Sequence, residues 1–337
     1  MPSNDNTRLM VLFVGGMCAV VVAMMVVLFV ATRRPVVMLL PQQGDSPAAA
    51  QAPPVSLGTA TPGAAGGAAE PMPEAPIVRV TQAPNTEDPL DAAWNQVTAI
   101  EIPLQKQQSS EPMLDEATID RILVQAARDD ERLVWRLSWK QETPVFRSDV
   151  GEFSDAVAIQ FPMKEGAPYT MGGPDMPVTM LYWKALWQKD IDEGFQDVTD
   201  MYPNSWYDFY WFAAGTGPQP AASAFENESA QQYMIGRSSG NPMSTIGRKQ
   251  PVEELTAHGF GSSTHVEESP STARGVWKDG AWYVVIDRPV DSSDPLISRF
   301  EQNLEQQMIA IAVWDGGAQN RGARKHITNW IPMRIDK

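Results

Sequence analysis

Asp155-Ala-Val-Ala-Ile-Gln-Phe-Pro-Met163 is followed by Pro168-Tyr-Thr-Met-Gly-Gly-Pro174 and then by Val178-Thr-Met-Leu-Tyr-Trp-Lys-Ala185. Two strand-like runs flank a loop of glycine and proline. From Val157 to Phe161 bulky residues alternate with small or polar ones, the pattern of a half-buried strand. Gly172-Gly173-Pro174 imposes an irregular backbone, because glycine accepts φ values that other residues avoid and proline fixes its own. Met171 stands in this loop, where a soft thioether can reach a metal or a cofactor. The competing reading is a methionine packed beneath the loop, which is the commoner use of that side chain.

Working outward, further short runs read as strands between turn residues. They are Val97–Ile102, Thr118–Ala126, Leu133–Lys140, Ala156–Phe161, Val178–Trp183, Trp282–Asp287, Ile309–Trp314 and Trp330–Arg334. Leu133 to Trp139 alternates cleanly, and Trp277-Lys-Asp-Gly-Ala-Trp282 carries the Asp-Gly signal of a hairpin. Thr118–Ala127 also fits a helical period through Ile119, Ile122, Leu123 and Ala126; the bracketing Asp-rich turns favour a strand. Regular short strands of this kind predict a mostly β chain, an all-β sandwich. The many tryptophans on them, such as Trp135, Trp183, Trp282 and Trp314, serve as an aromatic core or line a sugar platform or haem pocket.

The start of the chain has a different character. After a short tail, residues 1–8, the run Leu9–Thr32 carries no charge and is long enough to cross a hydrocarbon core of about 30 Å. It reads as a retained single-pass transmembrane helix, since signal peptides have shorter apolar cores. Arg8 precedes the span and Arg33-Arg34 follow it, so charge gives no clear orientation. Residues 33–87, rich in Ala, Pro and Gly, read as a disordered linker that lets a domain over residues 88–337 stand off the membrane.

Composition excludes several chemistries. The net charge of −15 argues against a nucleic-acid surface, which needs a basic patch. The one cysteine, Cys18, lies in the apolar run, so the remainder has no disulfide, thiolate metal site or covalent c-type haem attachment. Gly236-Arg-Ser-Ser-Gly240 matches a nucleophile elbow in form, but Asn241-Pro242 would break the helix such a motif requires. His258 and His265 lack a zinc spacing.

Seven segments in order resemble a known family. They are Trp94 with Ile100–Gln105, Leu133–Lys140, Asp155–Pro162, Tyr169–Gly173, Gly240–Pro242, Gly275–Val285 with Arg288, and Ile311–Gly317 with Lys325 and Trp330. Together they are similar to the haem-binding gamma subunits of ethylbenzene dehydrogenase and of dimethyl sulfide, chlorate, selenate and nitrite oxidoreductases. The resemblance implies a β-sandwich holding one non-covalent haem b with methionine and lysine as axial ligands. It implies an electron-relay subunit, not itself catalytic, beside a molybdenum catalytic subunit and an iron–sulfur subunit. Carried onto this chain, the ligands fall on Met171 and Lys325, with Met163 and His326 as fallbacks. Arg321 and Arg324 become candidate partners of the haem propionates, and Tyr169 a wall of the pocket. The relatives work mainly outside the cytoplasm, so a periplasmic domain is expected despite Arg33-Arg34. The alternative from a different class is a tethered carbohydrate- or ligand-binding sandwich, which needs neither Met171 nor Lys325.

Overall fold

The structure, a computed structural model, describes residues 74–196, 198–204, 235–239, 247–267, 269–291, 293, 295–296 and 307–335. The expected membrane span Leu9–Thr32 and most of the expected linker lie outside them. Among the described residues no helix is long and apolar enough to cross a membrane.

Every residue of β6 (Ala156–Pro162) is buried, so the strand expected to be half-buried is covered on both faces. Val157, Ile159 and Phe161 point into the main core, while Ala156 and Ala158 join a small cluster with Trp314 on the opposite face. Burying each large side chain of this kind contributes roughly 1.5–3 kcal/mol. β7 (Val178–Lys184) and β12 (Gln307–Trp314) flank β6, both antiparallel to it. β8 (Val252–Ala257) and β9 (Thr264–His265) extend that side beyond β7.

The remaining strands continue the sheet past β12. β14 (Ile331–Ile335), β1 (Ala75–Arg79), β4 (Arg121–Arg128), β5 (Arg132–Lys140), β11 (Ala281–Pro289) and β10 (Thr272–Lys278) follow in that spatial order. β2 (Ile100–Pro103) pairs with β4, and two-residue strands β3 (Gln105–Lys106) and β13 (His326–Ile327) pair with each other beside β12. The result is mostly β, one curled 14-stranded sheet whose two ends face each other. Trp183 of β7 meets Trp282 of β11 edge-on at 5.0 Å, and Trp135 of β5 lies 5.2 Å from Phe161 of β6. Trp135, Trp139, Trp183 and Trp282 are therefore interior, not a sugar-facing platform.

All eight expected strands are present, with ends shifted by a few residues. The segment that also fitted a helix is β4, because Ile122, Val124 and Ala126, at a spacing of two, bury against the core. Asp279 and Gly280, at φ 51° and 80°, turn β10 into β11, as the hairpin signal required. Several elements were not expected, and two of them shape the architecture. Ala75–Arg79, within the stretch read as linker, is the strand that pairs in parallel with both β4 and β14 and so joins the two halves of the sheet. Ala185–Glu193, directly after β7, forms helix α1.

Candidate functional site

The outer face of β12, β6 and β7 carries an unusual concentration of small side chains. Register places Ala312 beside Ala158 and Tyr182, and Ala310 beside Gln160 and Met180. Since Ile309, Ile311, Val313, Val157, Ile159 and Phe161 belong to the core on the other face, the alanines form a low floor. Above that floor lies a cavity of about 390 Å³, open along one side. This lies within the range for small-molecule and cofactor sites, about 300–1,000 Å³, towards its lower end. Ala158, Met180, Phe260 and Trp314 make much of its lining apolar.

Met171 enters this cavity from the loop between β6 and β7. Its backbone has φ 69°, a conformation that a long side chain rarely adopts, and Gly172 follows at φ 72°. A Cβ on Gly172 would lie 2.6 Å from the Met176 carbonyl oxygen, so glycine is required there. The strained turn is held from several directions. Gly259 N–H donates to the Met171 carbonyl at 2.8 Å, and Gly172 N–H to that of Pro168 at 2.9 Å. Trp330 Nε1–H donates to the Ala167 carbonyl at 2.7 Å, and Gln160 Nε2–H to that of Tyr169 at 2.8 Å. Strain so over-determined is typical of positions that hold a functional group in place.

Lys325 reaches the same cavity from the residue before β13. Its Nζ lies 5.0 Å from the centre of the Trp314 ring and makes no hydrogen bond or ion pair among the described residues. Burial alone pushes its pKa down to about 8. The neutral amine, whose lone pair can coordinate a metal, is therefore within reach at modest cost near neutral pH.

The neighbouring His326 points the other way and is fully buried. Its Nε2 accepts from the Thr118 and Ile119 amides at 3.0 and 3.2 Å, which leaves Nδ1–H to face the Val313 carbonyl at 3.3 Å. Both ring nitrogens are thus engaged, and burial lowers the pKa further. The neutral tautomer that satisfies all three contacts is a structural pin.

The other expected site residues divide. Tyr169 lines the cavity together with Met171. Met163, the fallback thioether, packs against the main core and does not line the cavity. Arg321 lies over the Phe153 ring at 4.6 Å and donates to the Gln319 carbonyl, while Arg324 meets Asp115 at 3.5 Å. Neither guanidinium lines the cavity, although Gly322 and Ala323, between them, do. The alanine floor was overlooked in the sequence; Ala156-Val-Ala158 and Ala310-Ile-Ala312 were its visible signal, small residues alternating with β-branched ones on two neighbouring strands.

Comparison with known proteins gives four findings. The family model described as ethylbenzene dehydrogenase matches residues 91–326. A Haloferax mediterranei protein named "Putative respiratory nitrate reductase heme subunit ORF7" is 27% identical over 265 residues, covering 78% of this chain and 73% of its own. The dimethylsulfide dehydrogenase subunit gamma of Rhodovulum sulfidophilum is 22% identical over 283 residues, covering 79% and 83%. Among solved structures, a family 9 carbohydrate-binding module from Caldicellulosiruptor kristjanssonii, in complex with glucose, aligns at 8% identity and a TM-score of 0.33, covering 79% of this chain and 97% of the module.

Proposed function

The chain belongs to the ethylbenzene dehydrogenase family, and from that premise we propose that it is a b-type haem subunit that relays electrons within an oxidoreductase complex. The observation that carries this reading is the convergence of Met171 and Lys325 on one apolar cavity. It is supported by the two relatives, one named as a nitrate reductase heme subunit and the other as a dimethylsulfide dehydrogenase gamma subunit.

The residues present fit a haem. The alanine floor leaves room for a flat ring, and the apolar lining suits its faces. An amine with no hydrogen-bond or ion-pair partner among the described residues and a thioether on a strained, clamped turn supply two neutral donors of the kind that ligate haem iron. When bound, the haem supplies one-electron chemistry at its iron. Met171 and Lys325 would hold that iron, Tyr169, Phe260 and Trp314 would exclude water, and Trp314 keeps the amine in a dry setting that favours its neutral form. His326 is already engaged on the other side of the chain, so Lys325 is the nitrogen ligand in this account. Arg321 and Arg324 remain candidates for the propionates only if their contacts with Phe153 and Asp115 rearrange.

On this reading the curled sheet is a β-sandwich, tethered by Leu9–Thr32 and the Ala/Pro-rich linker on the periplasmic side of the membrane. The chain itself performs no substrate chemistry; it serves a molybdenum catalytic subunit and an iron–sulfur subunit. Isolating the tagged full chain from its native membrane tests this. Acid–acetone-extractable haem together with co-purifying molybdenum and iron–sulfur polypeptides is expected. A haem-free chain isolated alone would count against it.

A further inference from the structure

We propose that Gln107 is a positioning residue that straps the Lys325-bearing segment against the cavity, a role that rests on the haem reading above. Gln107 follows β3 directly and is almost fully buried at 3% exposure, although it is polar and lies outside the sheet core. It uses its whole hydrogen-bonding capacity. Its backbone N–H donates to the Lys325 carbonyl at 3.0 Å. The two Nε2 hydrogens go to the Ala323 carbonyl at 2.9 Å and the Ser110 carbonyl at 2.8 Å. Oε1 accepts from the Ser110 amide at 3.0 Å and from the Ser109 amide. One side chain therefore ties the segment before β13 to the loop 107–110, and both line the cavity.

The strap addresses a specific weakness. β13 is only two residues long, and its pairing with β3 and β12 begins at His326, one residue beyond Lys325. Lys325 is thus outside the ladder, and a lysine stem has about four freely rotating bonds. Fixing its carbonyl, and that of Ala323 two residues earlier, removes backbone freedom that the side chain would otherwise add to its own. His326 pins the same segment from the interior side through Thr118 and Ile119. Gln107 holds the cavity side.

Two substitutions test the strap while differing in how much of the loop 107–110 they leave supported. Gln107→Leu removes every side-chain bond. Gln107→Glu keeps an acceptor for the Ser109 and Ser110 amides but cannot donate to the Ala323 or Ser110 carbonyl. If the strap to Ala323 matters, both variants of the full chain behave alike. Haem affinity falls by about tenfold, the scale of one or two lost hydrogen bonds, and the spectrum acquires a high-spin component. The haem-free protein gives a second readout: acetylation of Lys325, followed by mass spectrometry, quickens about tenfold in both variants, while that of Lys140 is unchanged. A glutamate variant with wild-type spectrum and wild-type Lys325 acetylation would overturn the proposal and leave the haem reading intact. If wild-type chain takes up no haem, the haem reading fails. Lys325 acetylation unchanged in the leucine variant would overturn the strap on its own.

Discussion

Lys325 and His326, adjacent in sequence, send their side chains to opposite sides of the chain. The lysine enters a partly open apolar cavity, and the histidine is sealed inside on the amides of Thr118 and Ile119. Lys325 sits at a bend just before β13 and His326 is the first residue of that strand, so a one-residue ambiguity in sequence becomes a choice between two faces. The two residues should consequently fail differently.

Replacing His326 by alanine leaves the buried Ile119 amide and the part-buried Thr118 amide without an acceptor and opens a small void. We expect a loss of about 2–4 kcal/mol in chemical denaturation of the haem-free chain. Lys325→Met removes from an apolar site an amine that has no hydrogen-bond or ion-pair partner among the described residues, so stability should hold or rise by about 1 kcal/mol. Equal losses in the two variants would contradict the assignment of structural and ligand roles.

The cavity floor can be filled without touching the core. Ala158 projects from β6 on the face opposite Val157 and Ile159. Ala158→Leu should therefore reduce haem uptake by more than about tenfold while thermal stability stays within about 1 kcal/mol of wild type. A haem titration read beside a melting curve separates these effects. Normal uptake in a folded Ala158→Leu protein would place the ligand elsewhere.

Asp155 gives a pH signature. It is fully buried, and its carboxylate accepts from the Val145 and Gly316 amides and from Trp282 Nε1–H at 2.8, 2.8 and 2.9 Å. Burial nevertheless raises its pKa to about 6, against the pull of these donors. A folded pKa above the unfolded value of 3.8 means that the folded state binds the proton more tightly. The associated stability is fully present below pH 3.8 and is lost as pH rises through about 6. The shift corresponds to about 3 kcal/mol. Asp155→Asn cannot titrate, so its deficit relative to wild type should shrink by about that amount between pH 4 and 7. Denaturation curves in which the deficit stays constant across this range would refute the buried titration.

Much of the sheet was legible because its strands are short, aromatic and cleanly alternating; Leu133 to Trp139 needs no partner to be recognised. Asp279-Gly280 likewise encodes its own turn. Ala75–Arg79 was not legible. Its five residues sit in a Pro-rich stretch, and only parallel pairing with β4 and β14, distant in sequence, makes them a strand. α1 follows β7 without a side-chain cap, so nothing local marks where the strand stops. Met171 stood out by its Gly-rich loop, but its ligand role and Lys325 came from resemblance, and their meeting in one cavity is a tertiary fact. Gln107 carried no signal, because a buried glutamine looks like a surface one until its partners are known.

The central claim is that Met171 and Lys325 together ligate one haem. Its most direct test is the visible spectrum of the full chain, purified in detergent with haem supplied, oxidised and then dithionite-reduced. Wild type should bind one haem per chain and show sharp α and β bands on reduction. Met171→Ala and Lys325→Ala should each convert it to a high-spin spectrum, while Met163→Ala leaves it unchanged. A wild-type low-spin spectrum in both the Met171 and Lys325 variants would contradict the assignment.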